Sequence, residues 1–335
     1  MSVPLKPPLK VALVGFGRMG RRHAVVYDSS EKFELVAICG REHQIHDVIT
    51  NHASVRFLSD FEETLAEMQP DLVCISTHID THDEYARKAL ARGCHVFLEK
   101  PATVSHATTR KLIDHANTVG LKLIIGYILH HDRLWTTFIE ECRKRAGPLE
   151  IEIQLDQHSE GEEWAIHQKI LRDSSIAFDC GIHFFDIMTQ AIELKPTTVN
   201  AVTSNTHGDK SLNDNSLSTT LSFADGSTGT YISSWGPGFQ AEPLSKIEAS
   251  GRDGMVSIVE DGDRSEVLVK RHDGSVRLAY ADSLHLQQAT TRQQEFVFDC
   301  IVSDIDLAEH HDRTLLSMKT AEEVDIAASQ RVDGD

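Results

Sequence analysis

The chain has 335 residues, 40% of them hydrophobic and 25% charged, enough to bury a large core and more than a single domain usually holds. Its net charge of -18 argues against a nucleic-acid partner, because a polyphosphate backbone would be repelled rather than neutralised. No apolar run is long enough to span a bilayer, and the Pro-rich start at residues 1–10 lacks the apolar core of a signal peptide, so no membrane association and a cytoplasmic location are expected.

The six cysteines (39, 74, 94, 142, 180, 300) form no CxxC pair and no metal spacing, and read as reduced, mostly buried thiols. Residues 10–14 are an apolar strand, followed by GFGRMG at 15–20 and a helix to about Asp28. In a strand–turn–helix unit Gly15 permits the tight turn, Gly17 lets the backbone approach a pyrophosphate, and Gly20 lets the helix pack on the strand. Phe16, Arg18 and Met19 share that loop, and the helix amino end offers free amides to phosphate. Strands follow at 34–39, 71–76, 95–98 and 122–125, separated by helices at 80–92 and 105–119. Continuous apolar strands alternating with amphipathic helices predict a doubly wound, parallel-sheet Rossmann domain over 1–126.

From residue 127 the pattern changes. β-rich runs at 149–157, 197–207, 217–223, 228–235, 246–250 and 266–271 are separated by turns at 224–226 and 272–274. Leu217, Thr219, Leu221 and Phe223 alternate with Ser218, Thr220 and Ser222, the period of a sheet packed on one face. Helices are expected at 134–145, 177–192, 284–304 and 318–329, and solvated acidic loops at 160–163 and 308–312. The fold class is α/β plus α+β: an N-terminal doubly wound Rossmann domain and, over 127–335, a domain built on a large, mostly antiparallel open sheet.

The segments Cys74–His82 and Ala89–Pro101, with GFGRMG, Glu99-Lys100-Pro101 and Asp179-Cys-Gly-Ile-His183 at compatible distances, resemble the Gfo/Idh/MocA oxidoreductases over nearly the whole chain. The resemblance implies a nicotinamide-dependent enzyme interconverting a secondary alcohol and a ketone on a sugar, cyclitol or sugar derivative. It makes Lys100 the catalytic lysine, with a cis Lys100–Pro101 peptide, His183 the proton acceptor and Asp179 a binder of substrate hydroxyl. Imidazole suits that task because its ordinary pKa is about 6.5. Tyr127 is a further substrate-contact candidate, and Thr77, His78, His82 and Glu99 join the cofactor set. Asp179, His183 and Asp186 at i, i+4 and i+7 share one helical face, Asp186 orienting or packing rather than reacting.

Departures from the family pattern are Thr77-His78-Ile79 in place of Thr-Pro-Asn, Ile128-Leu-His-His131 where relatives often carry arginines, and Ser174-Ser175-Ile176 in place of glycines. The strand 34–39 ends without the carboxylate that holds adenosine ribose in NAD-selective domains. Gly40 and Arg41 stand there instead, so NADP is preferred over NAD, although Arg41 stacked on adenine would allow both and Glu42 lies nearby. No metal is expected: HxH and HExxH spacings are absent, and His130 and His131 would point to opposite faces of a strand. The family also implies a homodimer or homotetramer. The alternatives are a noncatalytic NAD(P)-binding regulator, or an enzyme resembling dihydrodiol dehydrogenase or biliverdin reductase.

Overall fold

A computed structural model describes residues 6–52, 54–237, 244–261, 264–271, 274–281 and 285–330. The first five residues, the turn positions His272 and Asp273, and the expected helix start at Leu284 lie outside them. Strand and helix alternate as β1 (Leu9–Val14), α1 (Arg18–Ser29), β2 (Phe33–Cys39), α2 (Ile45–Asn51), β3 (Arg56–Leu58), α3 (Phe61–Met68), β4 (Leu72–Ile75), α4 (His82–Ala91), β5 (His95–Glu99), α5 (His106–Val119) and β6 (Leu123–Gly126). The strands form one parallel sheet in the order β3-β2-β1-β4-β5-β6. The order reverses between β1 and β4, the switch point at whose carboxyl edge such sheets bind ligands. All of β4 and β6 is buried, as a sheet covered on both faces requires. Local chemistry sets the helix ends. Asp60 Oδ1 accepts the Glu63 amide at 2.8 Å, Ser105 Oγ accepts the Thr108 amide at 3.1 Å, and α5 stops at Gly120 in the left-handed region.

The chain continues as α6 (Arg133–Arg143), β7 (Glu150–His158), α7 (Gly161–Asp173), α8 (Ile182–Ile192), β8 (Pro196–Ser204), β9 (Ser216–Phe223), β10 (Thr228–Gly236), β11 (Leu244–Gly251), β12 (Gly254–Asp261), β13 (Arg264–Arg271), β14 (Gly274–Ala281), α9 (His285–Val302) and α10 (Ala308–Ser329). The second sheet runs β14-β13-β12-β11-β7-β10-β9-β8. It is antiparallel except between β7 and β10, in agreement with the expected fold class. The alternation in β9 is real: Leu217, Thr219, Leu221 and Phe223 are the buried positions.

Two expectations are corrected. Residues 160–163 and 308–312 are helix starts rather than solvated loops, because Glu162, Glu163 and Glu309 complement the positive amino ends of α7 and α10. His130 and His131 lie in a 3-10 turn, Ile128–His131, not on a strand. The two compact units are Met1–His131 with Leu286–Leu315, and Asp132–His285 with Leu316–Asp335.

The returning segment completes the first unit. Val297, Phe298, Cys300, Ile301 and Leu307 share a core cluster with Leu9, Val11, Phe33 and Phe97. On α10, two imidazoles cap the edge strand β6: His310 Nε2 accepts the Ile125 amide at 2.9 Å, and His311 Nε2 donates to the Leu123 carbonyl at 2.9 Å. The exposed backbone of an edge strand is thereby occupied. Among the described residues no helix is long and apolar enough to cross a membrane.

These histidines are held neutral. Burial, reinforced by His130, Arg292 and Arg313, pushes His131 down to about 3. Burial pushes His310 well below its ordinary value and lowers His311 against the pull of the Leu123 carbonyl. In the unfolded chain each imidazole titrates near 6.5. Below that pH the unfolded state takes protons the folded state refuses, so stability is full above about pH 6.5 and declines as pH falls toward 3. The urea midpoint is therefore expected to drop between pH 7.5 and 5.5, as the unfolding free energy falls by up to about 1.4 kcal/mol per pH unit for each histidine once it is fully protonated in the unfolded chain. His131→Asn should flatten that slope. An unchanged slope in the variant would count against this account.

Candidate active site

In the first unit, the turn after β1 depends on three glycines for different reasons. Gly15 has φ +89, and a Cβ there would stand 2.6 Å from the Ser76 carbonyl oxygen. At Gly20 a Cβ would meet the Gly15 carbonyl oxygen at 2.0 Å, so this glycine lets α1 sit directly on the turn. Gly17 differs: nothing lies within 4 Å of its Cβ position. It precedes α1 without any side-chain cap, and no acidic residue occupies the first turn of the helix. Close packing on one side, open space on the other and uncapped helix amides fit a pyrophosphate. Arg18 is exposed and Met19 partly so. Phe16 is corrected as a side-chain contact, since it is 2% exposed in the core, beneath the Arg21 guanidinium at 4.5 Å from its ring centroid. Its carbonyl is held by Gln44 Nε2 at 2.8 Å, and Gln44 Oε1 accepts the Arg41 amide at 2.9 Å. Gln44 thus ties the Gly-rich turn to the loop after β2, where Gly40 is partly covered and Arg41 exposed.

The loops after β4 and β5 meet the same edge. Ser76 Oγ donates to the Gly15 carbonyl at 2.9 Å, and Thr77 Oγ1 lies 2.7 Å from Thr81 Oγ1. His78 is exposed, its Nδ1 3.0 Å from Asp80 Oδ1. His82 is 1% exposed, with Nδ1 2.9 Å from the Pro101 carbonyl and Nε2 3.2 Å from the Thr77 carbonyl. Burial lowers its pKa, opposed by those carbonyls. It therefore pins two loops together, and the expectation that it touches the cofactor gives way to that role. Lys100 follows β5 and is partly exposed, and the Lys100–Pro101 peptide is cis as the resemblance implies. Its amide donates to Glu99 Oε2 at 3.2 Å, while Glu99 Oε1 lies 2.8 Å from His23 Nε2. Glu99 is 6% exposed and faces the protein, which removes it as a ready contact for a cofactor. Tyr127 is 2% exposed and stacks on His130 at 5.5 Å, so as placed it is packing rather than an accessible substrate contact.

In the second unit, Asp179 sits in a π-turn, Ala177–Gly181, that feeds α8. The wider turn breaks the uniform helical face expected for Asp179, His183 and Asp186. Nine of the eleven residues of α8 are buried; His183 and Gln190 are the exceptions. Asp186 is among the buried ones, accepting from Ser317 Oγ at 3.1 Å and Gln190 Nε2 at 2.7 Å. Gly181 is required because a Cβ would come within 2.8 Å of the Phe185 ring. Ser175 Oγ accepts the Phe178 amide at 3.2 Å and donates to Asp325 Oδ2 at 2.9 Å, and burial pushes the Asp325 carboxyl up to about 6. α10 therefore grips the segment 175–186 at both ends. Motif reading gave no signal for His23, Gln44 or Asp325, whose partners are distant in sequence or carry no motif, whereas Ser175 stood out only within a departure from the family pattern. Among the described residues no cluster of three or more His, Cys, Asp or Glu side chains could hold a metal ion.

The oxidoreductase family with the NAD-binding Rossmann fold matches residues 9–127, and the GFO/IDH/MocA C-terminal domain matches residues 147–257. A D-glucoside 3-dehydrogenase of Escherichia coli is 31% identical over 132 residues, 39% of this chain and 37% of the relative. The first curated relatives are matched over only 33% to 61% of their own lengths. Among solved structures, the myo-inositol 2-dehydrogenase of Lactobacillus plantarum has the same fold with a TM-score of 0.82 at 19% identity, covering 97% of this chain and 98% of that one. The biliverdin reductase of Synechocystis, solved with biliverdin and NADP+, gives 0.81 at 19%, covering 96% and 99%.

The glycines separate folding from binding. Gly20→Ala is expected to lower stability by about 1–3 kcal/mol through overpacking against the Gly15 carbonyl. Gly17→Ala should leave the thermal midpoint near that of the parent yet weaken nicotinamide-cofactor binding about tenfold or more, because its methyl enters only the open side of the turn. Thermal melts and cofactor fluorescence titrations check both, and tight binding by Gly17→Ala would displace the pyrophosphate from this turn.

Proposed function

Because the chain belongs to the Gfo/Idh/MocA family of oxidoreductases, we propose that it is a nicotinamide-dependent dehydrogenase or reductase interconverting a secondary alcohol and a ketone on a sugar, cyclitol or sugar derivative. The observation that carries this reading is the convergence of three loops at the switch-point edge of the first sheet: the Gly-rich turn, the Ser76–Thr77 loop bonded to it, and the Lys100–Pro101 loop joined to Thr77 through His82. The cofactor supplies or accepts hydride when bound. The residues that would hold it are Gly15, Gly17, Gly20 and the amides opening α1, with Arg41 at the adenosine end.

The Lys100 ammonium donates a hydrogen bond to the reacting oxygen, stabilising alkoxide character as the carbon changes oxidation state. His183 takes the hydroxyl proton during oxidation and returns it during reduction, and Asp179 accepts a hydrogen bond from a substrate hydroxyl. A regulator that only senses nucleotide has no use for such a proton path, which disfavours the noncatalytic alternative. Exposed Val202, Val276 and Leu278 on the second sheet support self-association as a homodimer or homotetramer. Cytoplasmic residence is part of the same reading.

A panel of sugars and cyclitols assayed for reduced cofactor tests the activity. On the substrate found, Lys100→Ala is expected to reduce turnover by roughly a hundredfold or more with cofactor affinity nearly unchanged. Parent-like turnover would remove Lys100 from the chemistry. NADP is the expected cofactor, with the 2′-phosphate gripped by Arg41 beside Gly40. Arg41→Ala should weaken NADP about tenfold or more while NAD changes little. Equal losses, measured by titration with each cofactor, would show that Arg41 does not read the phosphate.

A further inference from the structure

The buried carboxylate of Glu99 ends a chain of hydrogen bonds that begins far away in sequence. Tyr27 OH donates to Gln294 Oε1 at 2.8 Å, Gln294 Nε2 lies 3.2 Å from His23 Nδ1, and His23 Nε2 lies 2.8 Å from Glu99 Oε1. Glu99 Oε2 accepts the Lys100 amide at 3.2 Å. Tyr27, His23 and Gln294 are at most 1% exposed. With the Gln294 amide as placed, each direction follows. An amide nitrogen only donates, so His23 Nδ1 must be an acceptor and Nε2 must carry the proton that goes to the carboxylate. The Phe97 ring, edge-on to His23 at 5.0 Å, walls the imidazole in place.

We propose that Gln294, His23 and Glu99 are positioning residues for Lys100. Through them α9, on the returning segment, sets the backbone from which the lysine projects. The same His23 lies on α1, whose amino end opens at Gly17, so one imidazole couples the helix beneath the Gly-rich turn to the Lys100 loop. If His23 loses its donor, the buried Glu99 carboxylate loses its 2.8 Å partner and turns toward other donors, which releases the Lys100 amide. The link to catalysis rests on the assignment of Lys100 made above; the link to the Lys100 backbone does not.

The test compares His23→Leu with His23→Gln in the full chain. A glutamine can present its amide nitrogen to Glu99 and its oxygen to Gln294, replacing both roles of the imidazole, whereas leucine replaces neither. Hydrogen exchange of the Lys100 amide, read by NMR on the protein alone, is expected to accelerate about tenfold or more in His23→Leu and to stay within about threefold in His23→Gln. With substrate, kcat should fall about tenfold or more in the leucine variant, with KM and the dissociation constant of the cofactor within about threefold, and the glutamine variant should recover it. Gln294→Leu, at the far end of the chain of bonds, is expected to move the Lys100 amide in the same direction and provides a second variant if His23→Leu does not fold. Unchanged exchange at Lys100 in the leucine variants, or a glutamine variant as impaired as leucine, overturns the proposal. Exchange that responds while Lys100→Ala turns over like the parent would instead sink the catalytic reading and leave the positioning intact.

Discussion

A parallel sheet has to be covered on both faces and closed at its edges, and the first 131 residues do not provide all of that cover. The missing part comes from the other end of the chain. Val297, Phe298 and Ile301 of α9 enter the core against Leu9 and Phe33, and His310 and His311 of α10 occupy the amide and carbonyl groups that β6 would otherwise leave open. At the point where the chain leaves the first unit, Arg292 Nε donates to the His131 carbonyl at 2.6 Å, and the next residue, Asp132, caps α6 while accepting from His285 Nδ1 at 2.6 Å. The geometry around Lys100 inherits this arrangement, because Gln294 sits on α9.

The first sheet was legible because its strands are short uninterrupted apolar runs, and the second because β9 alternates cleanly. Residues 42–68 were not legible. α2 and β3 are short, and β3, three residues at a sheet edge with one buried position, offers no run to recognise. α7 escaped for a related reason, since Leu171 is its one buried residue. The segment 177–192 was readable as a helix, but nothing in its residues distinguishes a π-turn from an α-turn. That difference decides where Asp179 points relative to Asp186. The pair His23 and Gln294 is separated by 271 positions, so no local pattern could join them.

The second unit holds its candidate site residue by the opposite strategy from the first. Lys100 stands on a loop fixed by polar bonds, whereas His183 stands on a helix fixed by burial nearly all round. Ser175–Asp325 and Ser317–Asp186 then hold the segment from α10, and Arg143 Nε holds the Gln190 carbonyl from α6 at 2.9 Å. A carboxyl at Asp325 raised to about 6 accepts the Ser175 hydroxyl without demanding a buried cation as partner.

The interleaved path of the chain has a consequence for biosynthesis. Residues 1–131 emerge from the ribosome before residues 286–315, which complete their core and the edge of their sheet. During translation the nascent first unit must wait, with part of its apolar surface uncovered, while the whole eight-stranded sheet is made. Contacts spanning such separations are costly to form, because loop closure precedes any reward from packing. The second unit's sheet is assembled within that interval, and its folding shortens the effective distance between the two halves of the first.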